Sequence, residues 1–277
     1  MTTQTENSLI SNKQTVKTGW FEHGTAQIYY EESGTGEPML LIPGFAGSIA
    51  EFSAVREAFV GAGYRVITAD IPGSGRSQPQ PRTYTVSAYD DDAQAFMALL
   101  KHLGAVPAHL MGFSDGGELS LLMAALTPDI ARSVVAWGAA GVLSDPTGEL
   151  KDVMYNAMYN VVDHPVPFMQ GFREYLIAAY GEANARAMTQ SVATAIVAIV
   201  ETRGGDISLS KAGNIICPVL FITGEHDFFV PPALVVQVAA RIPSAKVLEV
   251  EGAGHDPLHN TRADWFAQTI LDWLKKH

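Results

Sequence analysis

Apolar residues recur with two different periods along this chain of 277 residues. Between residues 86 and 103 they recur every three or four positions, and Gly104 follows, which predicts an amphipathic helix that ends there. Short apolar runs bounded by Gly, Pro or polar residues predict a buried strand at 39–42 and further strands at 64–69, 109–113, 133–137, 218–223 and 246–250. Further helices are predicted at 49–62, 118–126, 232–240 and 262–275.

This alternation of strands and helices is typical of an α/β protein. Strands that are separated by helices connect by right-handed crossovers, so they form a mostly parallel sheet with helices on both faces. A hairpin of short strands at 20–23 and 26–32 precedes this pattern, and residues 1–18 are expected to form a flexible tail. The predicted core comprises residues 19–143 and 212–277.

Residues 144–211 interrupt the alternation. They contain no good strand pattern but three helix-like pieces, at 147–162, 168–180 and 182–201, which are rich in Met and Tyr. A helical insertion at this point would form a cap over the carboxyl edge of the sheet, where open α/β folds bind ligands. Trp137, Met154 and Met158 are therefore candidate substrate contacts, although such side chains can equally pack the cap against the core.

Ser114 is the centre of a Gly-x-Ser-x-Gly motif, Gly112-Phe113-Ser114-Asp115-Gly116, between a predicted strand and a predicted helix. This is the pattern of a nucleophile elbow. A sharp strand-to-helix turn forces the serine into a strained conformation that projects its hydroxyl from the sheet, and small neighbours allow the close packing. The alternative is a glycine-rich turn without chemistry.

A serine hydroxyl needs a base, and the base needs a carboxylate that orients it. On this fold the chain order is serine, acid, histidine. His255 lies in a glycine-rich loop just after the last strand, and Asp227 follows the strand before it. Glu225 and Asp145 remain alternative acids.

Stabilising the oxyanion requires two N–H donors close to the nucleophile. The first is the amide of the residue after the serine, Asp115. The second is expected from the loop after strand 39–42, where Pro43 has no N–H and Gly44 is expected to make the turn. Phe45 is therefore the predicted second donor.

Five side chains near the histidine loop suggest a competing metal site: His226, Asp227, His255, Asp256 and His259. The pair His255-x-x-x-His259 could bind a metal only from one face of a helix. Gly254 and Pro257 disfavour a regular helix there, so we expect neither a metal nor a cofactor.

Composition narrows the class of partner. The net charge of −11 argues against nucleic-acid binding, which needs clustered Lys and Arg. Cys217 is the single cysteine, so no intramolecular disulfide can form, and the polar N-terminus lacks a secretory signal. We expect a cytoplasmic monomer or homodimer that acts on a small-molecule ester or lactone and does not contact a membrane.

The chain resembles the α/β-hydrolase superfamily over residues 20–277, in the serine, acid and histidine blocks and in Asp70-Ile71-Pro72-Gly73-Ser74-Gly75-Arg76-Ser77. It is more specifically similar to the valacyclovirase (biphenyl hydrolase-like) enzymes in Leu41-Ile42-Pro43-Gly44, Gly112-Phe113-Ser114-Asp115-Gly116-Gly117 and Val135-Ala136-Trp137-Gly138-Ala139. The likeness implies that the Asp115 carboxylate binds the ammonium group of an amino-acid ester. It does not extend to the insertion.

The function expected from these features is a serine carboxylesterase that cleaves small carboxylic or amino-acid esters through an acyl-enzyme. Lactonases, including those for acyl-homoserine lactones, carbon–carbon bond hydrolases and cofactor-free perhydrolases would use similar residues. The non-enzymatic alternative is a receptor-like protein that binds a ligand and turns it over slowly.

Overall fold

The computed structural model describes residues 15–143 and 149–277, whose strands form one sheet in the order β1-β2-β4-β3-β5-β6-β7-β8. These strands are β1 (Lys17–His23), β2 (Ala26–Ser33), β3 (Pro38–Ile42), β4 (Arg65–Ala69), β5 (Ala108–Phe113), β6 (Ala131–Trp137), β7 (Val219–Gly224) and β8 (Ala245–Val250). Pairing is antiparallel from β1 to β2 and from β2 to β4, and parallel across the remaining strands. The predicted fold class, a mostly parallel sheet flanked by helices, is confirmed.

The α-helices of the described residues follow the predicted periodicity closely. They are α1 (Ser53–Gly61), α2 (Ala88–His102), α3 (Asp115–Leu126), α4 (Glu149–Tyr159), α5 (Gln170–Tyr180), α6 (Glu182–Arg203), α7 (Pro232–Ala239), α8 (Leu258–Thr261) and α9 (Ala263–Leu274). The predicted helix at 49–62 begins with a 3-10 turn, Ile49–Phe52. His259 lies in α8, which Arg262 separates from α9 by leaving the helical region at φ −135°.

The sheet separates two apolar layers because successive side chains of a buried strand point to opposite faces. Leu40 of β3 and Leu110 of β5 pack on one face with α2, α3 and α7. Met39 precedes Leu40 and Met111 follows Leu110, and both methionines pack on the other face with α1 and α9. Both faces of the central parallel strands are therefore buried, as the continuous apolar runs predict.

Helices α4, α5 and α6 lie between β6 and β7 and form a third apolar cluster. Buried Met158, Leu176 and Met188 belong to it, together with Ala46 from the loop after β3. The helical insertion therefore contacts the loops at the carboxyl ends of the strands. Its exact domain boundaries stay a prediction. Within the described ranges, no helix has both the length and the apolar character needed to cross a membrane.

Candidate active site

Ser114 occupies the sharp turn between β5 and α3, with φ 51° and ψ −119°. A positive φ is rare for a residue with a Cβ, so the strain predicted from the motif is confirmed. Glycine on either side permits the turn. A Cβ on Gly112 would lie 2.0 Å from the Gly116 carbonyl carbon, and a Cβ on Gly116 would lie 2.1 Å from the Ile42 oxygen.

The structure brings the three side chains predicted for nucleophilic catalysis into one hydrogen-bonded series. Ser114 Oγ lies 3.0 Å from Nε2 of His255, whose Nδ1 lies 2.8 Å from Oδ2 of Asp227. Asp227 is buried, and its other oxygen accepts the amides of Phe229 and Val230 at 2.9 and 2.8 Å. These bonds fix the carboxylate against the imidazole.

The protonation of the imidazole follows from its partners. An ionised carboxylate can only accept, so Nδ1 of His255 must carry the hydrogen that binds Asp227. In the neutral ring Nε2 is then the acceptor, and the Ser114 hydroxyl donates to it. This arrangement lets the serine lose its proton to the ring while Asp227 stabilises the imidazolium that results.

Of the two alternative acids, the structure describes only Glu225, which has a different partner from His255. Glu225 is exposed and its Oε2 accepts the Gly252 amide at 2.9 Å instead. Asp145 lies outside the described residues. Among the residues that the structure describes, no three His, Cys, Asp or Glu side chains are grouped to hold a metal ion. His259, for example, is fully buried and accepts the indole N–H of Trp137 at 3.2 Å.

The loop after β3 lies directly against the nucleophile. A Cβ on Gly44 would lie 3.2 Å from Ser114 Cβ and 3.1 Å from the Phe113 ring. The hydrogen bonds found among the described residues include no acceptor for the amides of Phe45 or Asp115. Within the part of the chain that the structure describes, these two amides are therefore without an acceptor; that of Asp115 follows Ser114 in the chain, and that of Phe45 follows Gly44, which contacts Ser114.

Asp115 lines a small cavity whose other walls include the apolar side chains of Ile71 and Leu119. Oδ1 of Asp115 accepts the Tyr89 hydroxyl at 2.7 Å, and Tyr84 and Asp92 also line the cavity, whose volume is about 10 Å³. That volume is close to what one water molecule needs. Burial raises the pKa of Asp115, while the Tyr89 hydrogen bond lowers it. The carboxylate therefore lies where a cation would relieve its desolvation.

Arg82 balances the second acid of this cavity. Its Nη1 binds Asp92 Oδ2 at 2.6 Å and the Pro72 carbonyl at 2.9 Å. Burial raises the pKa of Asp92 to about 6, opposed by its pairing with Arg82. Arg82 is thus committed to Asp92 by a direct bond, and it acts on Asp115 only through space.

Trp137 does not reach the surface of the site, contrary to its prediction as a substrate contact. It is 1% exposed and belongs to the apolar layer beside α1 and α9, packed on Phe52, Phe266 and His259. Val135, two residues earlier in β6, lies in the same layer. Alternation along the strand puts Trp137 on the same face as Val135, but helices cover both faces of the sheet, so alternation alone did not show that Trp137 is buried.

Of the two methionines predicted as substrate contacts in the cap, the structure describes the side chain of only one, Met158. Met158 is buried within the apolar cluster of the cap. Met154 belongs to α4, and its side chain lies outside the described residues. Three partly buried rings that the sequence did not single out are near the site: Tyr84 and Phe172 next to the Phe45 ring, and Phe229 at 5.2 Å from the His255 ring. They come from separate segments, so no local pattern joins them.

Comparison with known proteins supports the fold and the family. Residues 37–175 match the family model of the alpha/beta hydrolase fold, and residues 182–276 match the model described as TAP-like protein. Human serine hydrolase BPHL is 26% identical over 251 residues, which cover 90% of this chain and 83% of that protein. The predicted resemblance to the biphenyl hydrolase-like enzymes is confirmed.

Two further relatives are hydrolases by name. Lipase 3 of Moraxella sp. (strain TA144) is 29% identical over 283 residues, covering 94% of this chain and 86% of that protein. The structure of a thermophilic esterase from Thermogutta terrifontis has a TM-score of 0.69 and 25% identity, covering 95% of this chain and 98% of the other. The likeness to all of these proteins extends over nearly the whole chain.

Proposed function

Because the chain belongs to the α/β-hydrolase fold family, we propose that it is a serine hydrolase that cleaves small carboxylic esters through an acyl-enzyme. The observation that carries this proposal is the hydrogen-bonded series from Ser114 through His255 to Asp227. Its geometry supplies a nucleophile, a base and an orienting carboxylate in the order that acyl transfer requires. The names of the human relative, the Moraxella lipase and the Thermogutta esterase agree with this chemistry.

Acylation begins when Ser114 Oγ attacks the ester carbonyl and its proton passes to Nε2 of His255. The carbonyl oxygen becomes an oxyanion that accepts the Phe45 and Asp115 amides. The tetrahedral intermediate then collapses: its bond to the alkoxy oxygen breaks, and the His255 proton passes to the departing alcohol. The acyl group remains on Ser114 as an ester.

Deacylation repeats these steps with water as the nucleophile. His255 takes a proton from water as the hydroxide oxygen bonds to the acyl carbon, and the same two amides hold the second oxyanion. When the bond to Ser114 breaks, its oxygen recovers the proton from His255. The carboxylic acid leaves, and the protein returns to its starting state without any cofactor.

Amino-acid esters are the substrate class that we propose for the Asp115 carboxylate. Its cavity is of a size that suits an ammonium group, and its pKa is raised by burial, so pairing with a cation would favour its ionised form. A substrate ammonium would also offset the unfavourable effect of a carboxylate beside the oxyanion. The Tyr89 hydroxyl at 2.7 Å would hold the carboxylate in place.

The first experiment compares wild-type protein with Ser114→Ala on p-nitrophenyl esters, aminoacyl esters and lactones. The variant should lose kcat by about 10⁴-fold or more, because the nucleophile is absent while the oxyanion amides remain. Ser120→Ala is the matched control, since that hydroxyl on α3 only donates to the Gly116 carbonyl at 2.8 Å. Retained hydrolysis by Ser114→Ala would refute the mechanism.

The same panel, extended with vinylogous diketones, separates the related activities. Faster turnover of lactones than of open esters would assign a lactonase, and turnover of vinylogous diketones would assign a carbon–carbon hydrolase. Ligand-induced stabilisation with negligible turnover would instead identify a receptor-like protein. A single fast release of p-nitrophenol followed by no further turnover would indicate the slow deacylation expected of such a receptor.

The amine proposal is tested by Asp115→Asn. The value of kcat/KM should fall about 10- to 100-fold on aminoacyl esters, the usual worth of one hydrogen bond to a charged group. The value of kcat/KM on neutral esters of the same acyl length should fall far less. An equal loss on both substrate types would show that Asp115 does not recognise an ammonium group.

A further inference from the structure

Two tyrosine hydroxyls from the cap hold one carbonyl of the loop after β3. Tyr175 and Tyr180, both on α5, donate to the Ala46 oxygen at 2.8 and 2.7 Å. A carbonyl oxygen has two lone pairs, so this pair of donors saturates it. The bonds join positions 129 and 134 residues apart in the chain.

The bonded carbonyl belongs to a strained turn. Gly47 N–H donates to the Gly44 oxygen at 3.0 Å, which closes a turn that has Phe45 and Ala46 at its centre. Ala46 has φ 56°, where glycine is the usual residue. The Ala46 methyl is fully buried in the apolar cluster of the cap, which compensates for this backbone strain.

Tyr180 connects this turn to a second loop. Its hydroxyl oxygen accepts the Gly75 amide at 2.8 Å while its proton goes to Ala46. Asp70 joins the same two loops, because its carboxylate accepts the amides of Ile49 and Arg76 at 2.7 and 2.8 Å. The turn is therefore held from the cap and from the core together.

From these contacts we infer that Tyr175 and Tyr180 are positioning residues, which fix the turn at residues 44–47 so that the Phe45 amide stays aimed at the oxyanion. The inference rests on the proposed function. Gly44 lies against Ser114, and the tyrosines anchor the far side of the same short turn. Oxyanion donors act at 2.7–3.1 Å, and a misplacement of about 1 Å can cost 100-fold in rate.

The test replaces each tyrosine with phenylalanine, which keeps the ring and removes the hydroxyl. We expect kcat to fall about tenfold in Tyr175→Phe and Tyr180→Phe and about 100-fold in the double variant, with KM changed less than about twofold. Binding of an alkyl trifluoromethyl ketone, which adds the serine to form an oxyanion, should weaken by the same factor as kcat/KM. Binding of the product acid should not change.

Tyr64→Phe is the matched control, because this half-buried tyrosine precedes β4 at the opposite end of the strands and packs on His109. The Tyr64→Phe variant should retain the wild-type kcat and ketone affinity, whether or not its melting temperature falls. If Tyr175 and Tyr180 only stabilised the fold, their variants would behave in the same way, with a lower melting temperature but unchanged kcat and ketone affinity. A double variant with wild-type kcat and ketone affinity would overturn the inference.

Amide hydrogen exchange keeps the two proposals separate. A wild-type protein without hydrolytic activity would refute the proposed function, whatever the tyrosine variants do. The position of the turn can still be measured, since a peptide covering residues 40–50 should exchange at least about tenfold faster in the double variant. Unchanged exchange in that peptide would refute the role of the tyrosines even in an inactive protein.

Discussion

The burial of Glu118 on α3, the helix that follows Ser114, can be tested quantitatively through the pH dependence of stability. Glu118 lies on the first turn of α3, is 3% exposed, and accepts the Ala140 amide at 2.8 Å through Oε1. Its Oε2 has no hydrogen-bond partner among the described residues. Burial raises the pKa of this carboxyl from 4.5 to about 8, with a further increase from the charge of Asp115.

The direction of the pH effect follows from that shift. Between pH 4.5 and about 8 the folded protein holds the Glu118 proton while the unfolded chain releases it. The resulting contribution to stability is full below the unfolded pKa and is lost as the pH rises through the folded pKa. Glu118→Gln cannot ionise, and its amide has nearly the shape of the protonated acid, so it removes this loss.

The expected gain follows from the linkage relation. Relative to pH 4, the free energy of unfolding of Glu118→Gln should increase over wild type by on the order of 2 kcal/mol at about pH 6 and 4 kcal/mol at about pH 8. For a chain of 277 residues these values correspond to roughly 3 °C and roughly 7 °C in melting temperature.

Thermal unfolding followed by circular dichroism from pH 4 to pH 8.5 measures this difference. The exposed Glu57 on α1 provides the control, and Glu57→Gln should stay within about 1 °C of wild type throughout. Parallel curves for Glu118→Gln and wild type would refute the claim that Glu118 is buried as a neutral acid.

Three other substitutions follow from the geometry. Asp227→Asn should lower kcat by about 10³- to 10⁴-fold in the esterase assay while the melting temperature changes little, since the amide orients the wrong histidine tautomer. Gly116→Ala should lower both soluble yield and melting temperature, because the new Cβ would lie 2.1 Å from the Ile42 oxygen. Asp92→Ala should cost about 3 kcal/mol in urea denaturation by leaving Arg82 buried without its carboxylate. Wild-type values in any of these assays would contradict the corresponding contact.

The architecture was predictable because its signals are local. The buried strands β3 to β7 are short, largely apolar runs and α2 is a three-to-four-residue repeat, so these elements emerge close to their observed bounds, as does the more exposed edge strand β8. The elbow is local too, since the need for small residues at Gly112 and Gly116 is visible within five positions. Known chain order then pointed to Asp227 and His255 without any knowledge of their contacts.

The contacts that were not predictable join distant segments. No spacing in the sequence relates Tyr180 to Ala46, and a positive φ at an alanine has no sequence signature. Trp137 was misplaced for a different reason: the end of a strand lies at the edge of the site, but the side chain there can point to either face of the sheet. The local sequence pattern determines where a strand or helix lies along the chain, while tertiary packing determines which way a side chain such as Trp137 points.

The strained Ala46 at the centre of the turn that the cap tyrosines hold affects how segments could be exchanged between relatives. The helices α4 to α6 leave the core after β6 and return before β7, so they could be replaced as one segment. A replacement without hydroxyls at the positions of Tyr175 and Tyr180 would leave Ala46 strained and its carbonyl without these two donors. We therefore expect such a chimera to lose kcat as the double tyrosine variant does, whichever substrates its new helices admit.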